Sequence, residues 1–148
     1  MKKARRLVDA YGWPSRIYCS PFLRTKSTVE AMGRILREMR NDRKSKYYGY
    51  PKPELRYDRR LSRHFSRDEQ DNPSMFPQTE KHQVPVVEDR VQFKKRVKGH
   101  VERMKQRGYY KCKKVVWCVT HAIVYKEVAR LRGIETPRRI DFLRSFRA

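Results

Sequence analysis

The sequence predicts an α/β fold, a three-layer sandwich around a small, mostly parallel sheet, and three observations carry that expectation. Segments with apolar residues at helical spacing alternate with short apolar runs, in the order helix, strand, helix, strand, helix, strand, helix. The run Val115 to Val119 is apolar throughout, which suits a strand covered on both faces of a parallel sheet. At 148 residues the chain is long enough for one domain with a real core and short for two, so residues 1–148 are expected to form a single domain.

In chain order, Ala4, Leu7, Val8 and Tyr11 share one helical face, and Gly12 closes that helix. Trp13-Pro14 breaks the pattern, and Arg16 to Cys19 is short, apolar and aromatic enough for a strand. From Thr25 to Arg40, Val29, Met32, Ile35, Leu36 and Met39 fall on one face and Arg34, Arg37 and Arg40 largely on another, which predicts a second helix. Residues 41–53 lose periodicity and gain Gly and Pro, so an exposed loop is expected; Glu54 to Tyr57 reads as a short edge strand. Residues 62–85, polar and with three prolines, read as a second long loop. Val87, Val91, Val97, Val101 and Met104 predict a long helix over 86–107, ending near Gly108. A strand over 113–119 and a helix over 122–132, closed by Gly133, follow. The alternation of charge with Ile140, Phe142, Leu143 and Phe146 suggests a last strand over 138–146.

Charge narrows the partners. The chain carries 38 Lys and Arg against 16 Asp and Glu, a formal net charge of +22. The excess is +11 over residues 1–60 (17 basic, 6 acidic), +2 over 61–100 (8 and 6) and +9 over 101–148 (13 and 4). Because the basic residues are interleaved with apolar periodicity, the charge belongs to the folded surface, and a polyanion is the expected partner. No stretch approaches a membrane span in length, and the N-terminus lacks an apolar run with a cleavage site. Cys19, Cys112 and Cys118 form no C-x-x-C pair, and two of them fall in strands expected to be buried, so reduced, structural thiols in an intracellular compartment are expected. The four histidines are not at metal-ligand spacing, and no metal or cofactor is assigned.

Two stretches bear on chemistry. Ser20-Pro-Phe-Leu-Arg24-Thr-Lys-Ser-Thr28 follows a strand and opens a helix, where an arginine adds a bidentate donor fork to the N–H groups of the first turn. Val115-Val-Trp-Cys-Val-Thr-His121-Ala122 puts a histidine at the end of an apolar strand. These segments resemble the histidine phosphatase superfamily, the phosphoglycerate mutase-like fold. The resemblance implies that Arg24 grips a phosphoryl group after a serine-proline turn at Ser20, and that His121 contacts the same phosphate, with Ala122 where glycine is usual.

The rest of the family pattern is not matched. The resemblance places the Arg-His-Gly strand, with its nucleophilic histidine, ahead of Met1. It also places the family's glutamate acid at residue 63 of Asp58-Arg-Arg-Leu61-Ser-Arg63, where this chain has Arg63. A guanidinium cannot give a proton to a leaving alkoxide as a carboxylic acid does. The expectation is therefore a pseudoenzyme on a truncated phosphoglycerate mutase-like fold, with Ser20, Arg24 and His121 as a vestigial anion pocket. The family's first strand lies centrally in its sheet, so the gap calls for direct pairing of the remaining strands, a strand from a second copy in a homodimer, or a separate polypeptide.

The function expected is sequence-nonspecific binding of nucleic acid or another polyanion, as a packaging or virion-associated component. The loop holding Lys44, Lys46, Tyr47, Tyr48 and Lys52 interleaves cations with aromatics, the combination that stacks unpaired bases, and Arg63 adds a cation; the alternative for the tyrosines is that they pack the loop onto the domain. Alternatives are weak turnover of a phosphomonoester and a structural protein that neutralises an acidic partner. No helix-turn-helix, zinc-finger or RNA-recognition signature argues for base-specific readout.

Overall fold

A computed structural model describes residues 2–64, 87–108 and 114–136. Their elements are α1 (Lys2–Tyr11), β1 (Pro14–Cys19), α2 (Leu23–Asn41), β2 (Glu54–Tyr57), a 3-10 turn (Arg59–Leu61), α3 (Arg90–Gln106), β3 (Val115–Val119) and α4 (Ala122–Leu131). The α/β expectation holds: the three strands form one parallel sheet in the order β2-β1-β3. Within the chain, β1 pairs directly with both neighbours. The strand suggested over 138–146 and most of the 62–85 loop lie outside the described residues.

The pleat of the sheet divides the core in two. Ile17, Cys19 and Trp117 point to one face and pack with Ala4 and Val8 of α1 and with Val29, Met32, Leu36 and Met39 of α2. Tyr18 points to the other face and packs with Leu61, with Phe93, Val97 and Met104 of α3, and with Val124 of α4. Successive side chains on a strand alternate between faces, so the same short β1 serves both helical layers. β1 begins two residues earlier than expected. Gly12 turns the chain at φ +93°, where a Cβ would meet Val115 Cγ2 at 3.2 Å. The register then slips between Pro14 and Arg16, and the Ser15 hydroxyl donates to the Val115 carbonyl at 3.1 Å.

Two expectations require correction. The helix expected over 86–107 starts only at Arg90, because Asp89 and Gln92 form a reciprocal capping box that fixes its first turn. Its buried face is Phe93, Val97, His100, Val101 and Met104, while Val91 is 75% exposed. The second correction is Cys118, which is exposed on the edge strand β3, whereas Cys19 is buried on the central strand.

Candidate anion-binding site

The C-terminal ends of β1 and β3 deliver two polar side chains to one place. Ser20 directly follows β1, and its N–H donates to the Val119 carbonyl at 3.0 Å, which extends the pairing with β3 by one residue. His121 follows β3 by two residues and is the N-cap residue of α4. Ser20 Oγ and His121 Nε2 are hydrogen-bonded at 2.9 Å, and both residues are buried, Ser20 completely. Phe22, the N-cap residue of α2, lays its ring edge-on to the imidazole with centroids 5.1 Å apart. Thr25 braces the turn by donating to the carbonyls of Ser20 and Phe22 at 2.9 and 2.7 Å. The N-termini of α2 and α4 therefore both open at the carboxyl edge of the sheet, where their partial positive charge favours an anion.

The electrostatics of His121 show what surrounds it. Burial, followed by the charges of Arg24, Arg63 and Arg96, pushes the imidazole down to about 3. It is neutral at pH 7, held beside guanidinium groups that resist its protonation. The positive charges of Arg24 and Arg63 thus act on the His121 imidazole, although Arg24 and His121 stand 97 positions apart in sequence.

Arg96 has a structural task as well. From α3 it donates to the carbonyls of Arg60 and Ser62, each at 2.8 Å, and to those of Arg59 and Arg63 at 3.3 and 3.4 Å. Its remaining donors engage the Glu88 carboxylate, Nε at 3.0 Å. One side chain thereby fixes the whole 59–63 segment, including the position of Arg63. Thr120 completes the frame by donating to the Leu61 carbonyl.

The remaining residues expected to bind nucleic acid lie elsewhere. Trp13 donates from Nε1 to the Pro51 carbonyl at 3.0 Å, which ties the 44–52 loop to the start of β1. The Ser20–His121 pair is at the other end of that six-residue strand, about 17 Å away at the usual rise per residue. Tyr47 is buried, stacks on Trp13 with centroids 5.4 Å apart and donates its hydroxyl to Asp9 at 3.2 Å, so it packs the loop onto the domain. Lys46 forms an ion pair with Asp9 at 3.0 Å. Lys44, Tyr48 and Lys52 are exposed.

A second polar cluster lies within the α3 layer. His100 Nδ1 donates to Asp58 Oδ2 at 3.0 Å, and His100 Nε2 is 3.7 Å from Cys118 Sγ. Burial works against ionisation of Asp58, but hydrogen bonds from His100 and the Arg60 N–H hold its carboxyl below the ordinary range. The cluster joins the segment after β2 to α3 and β3, and it is separate from the Ser20–His121 pair. Among the described residues no group of three or more His, Cys, Asp and Glu is placed to hold a metal ion, and no helix is long and apolar enough to cross a membrane.

A scan against protein-family models and searches of curated proteins and of solved structures found no match to the chain. Three residues at the carboxyl edge escaped the sequence reading. Arg96 sits among many cations on an amphipathic helix, and nothing local marks it. Tyr57 ends β2 and Lys26 lies in the first turn of α2; the signal for Tyr57 is an aromatic residue ending a short edge strand just before the segment that carries Arg63.

Proposed function

We propose that the chain is a non-catalytic, phosphatase-like scaffold that binds nucleic acid through its basic surface and holds a phosphate group at Ser20, Arg24, Arg63 and His121. The observation that carries this reading is the buried Ser20–His121 hydrogen bond at two adjacent strand ends, with the charges of Arg24 and Arg63 acting on the imidazole. An anion there relieves the repulsion between the Arg24 and Arg63 charges and accepts hydrogen bonds from their guanidinium forks. The phosphoglycerate mutase-like relationship belongs to the same proposal. It is supported by the order of elements and by the two motif turns falling at adjacent strand ends.

Binding without cleavage follows from the chemistry at residue 63. The resemblance calls for a glutamate there, and Arg63 holds an anion but supplies no proton to a departing alkoxide. A net charge of +22 extends the attraction over the surface and suits the protein to compaction or packaging of nucleic acid. Each neutralised phosphate releases counterions. A protein touching six to ten phosphates is then expected to lose roughly 10³ to 10⁵ in affinity between about 50 and 200 mM salt. Filter binding to mixed-sequence DNA and RNA across that range, alongside an assay of a generic phosphomonoester, tests the reading. Steep salt dependence without turnover is the expected result. Binding that is absent, or turnover abolished by His121→Ala, would overturn it.

A further inference from the structure

We propose that Tyr57 and Lys26 form a base-stacking subsite beside the anion pocket, so that the pocket takes the terminal phosphate of a nucleic-acid strand and Tyr57 takes the base next to it. This inference rests on the function proposed above and assigns that site a substrate class. Tyr57 is the last residue of β2 and lies in register with Cys19, the residue before Ser20. Adjacent strands are about 4.8 Å apart, so its backbone is one strand away from the pocket's serine. The following residue is fixed too, because the Asp58 N–H donates to the Cys19 carbonyl at 2.9 Å.

The Tyr57 side chain is 53% exposed, and the Lys26 ammonium stands 5.1 Å from its ring centroid. Lys26 lies in the first turn of α2, two residues beyond Arg24. Ring and ammonium therefore meet at the helix start that also carries Arg24, combining a stacking surface with phosphate-directed cations. The 44–52 loop offers a similar composition at the wrong end of β1. Near the Ser20 end of β1, an aromatic-cation pair with an exposed ring is Tyr57 with Lys26.

The free oxygens of a strand end favour it. Ser20 is 0% and His121 7% exposed and the two are hydrogen-bonded to each other, so a phosphate meets the site from its open side, at the exposed Arg24 and the half-buried Arg63. A terminal monoester presents three free oxygens and a single ester bond, whereas an internal diester carries a sugar on both sides.

Fluorescence anisotropy with short single strands of one sequence tests the inference. The strands carry a 5′-phosphate, a 3′-phosphate or neither, and a further one carries the preferred phosphate on a terminal nucleotide that lacks its base. One phosphorylated end is expected to bind about tenfold more tightly than the unphosphorylated strand. Removal of the terminal base, or Tyr57→Ala, is expected to weaken that complex by about tenfold, within the range set by one base–aromatic stack. Tyr57→Phe keeps the affinity. The abasic strand probes the unmodified protein and so reads the subsite even if Tyr57→Ala fails to fold. Equal binding of all strands, or a free mononucleotide competing as well as the strand, would overturn the inference and leave nucleic-acid binding standing. Failure of every strand to bind would overturn the proposed function itself.

Discussion

Arg96→Ala is expected to destabilise the protein by about 3 kcal/mol, the loss that accompanies removal of one partner from a largely buried ion pair. The side chain is 21% exposed, its partner Glu88 is 12% exposed, and four carbonyls of the 59–63 segment accept its remaining hydrogen bonds. The alanine variant leaves the Glu88 carboxylate and those carbonyls unmatched while also releasing the backbone that positions Arg63. Arg96→Lys is expected to rescue little, because one ammonium cannot reach a carboxylate and a fan of carbonyls together. Urea denaturation reads the stability, and phosphate affinity reads the pocket; both should fall in the alanine variant.

Phe22→Ala is expected to cost about 3–5 kcal/mol. The ring is fully buried at the N-terminus of α2 and packs edge-on against His121. Its removal opens a cavity under the turn that holds Ser20, and the neighbouring backbone is fixed by two Thr25 hydrogen bonds and cannot collapse to fill it. Phe22→Leu keeps most of the volume and should cost under half as much, roughly 1.5 kcal/mol. Denaturant midpoints for the two variants check the ratio.

Much of the frame could be read from residue order. Helical periodicity identified α2 from Val29, Met32, Ile35, Leu36 and Met39, all of which are buried. The strand-turn-helix reading of Ser20 to Arg24 and of Val115 to Ala122 anticipated two side chains at strand ends, because a parallel sheet sets those ends side by side. Local patterning failed where tertiary contact decides the outcome. Val91 fits a helical repeat that Phe93 and His100 displace, once the Asp89 capping box sets the start of α3. Tyr47 sits in a Gly- and Pro-rich loop whose tyrosines could stack bases or pack onto the domain; Trp13 and Asp9, more than 30 residues away, draw Tyr47 inward, and no local pattern decides between the two. Arg96 acts on carbonyls of a turn distant in sequence, so no spacing rule exposes it. The separation of the 44–52 loop from the pocket follows from the parallel topology, which puts the start and the end of β1 at opposite edges of the sheet.

The most direct test of the anion site is a pH titration of the His121 imidazole by NMR, assigned by the loss of its signal in His121→Gln and recorded with and without inorganic phosphate. Without phosphate the imidazole is expected to stay neutral down to a pKa of about 3. Because that value lies below the ordinary 6.5, the folded state binds fewer protons than the unfolded one between the two. Its contribution to stability is then complete above pH 6.5 and declines as the pH falls toward 3. A bound phosphate neutralises the flanking guanidinium charge and stabilises the imidazolium, so the pKa should rise when it is added, and phosphate should bind more tightly as the pH is lowered through that range. An imidazole that titrates near 6.5 and does not respond to phosphate would contradict the account.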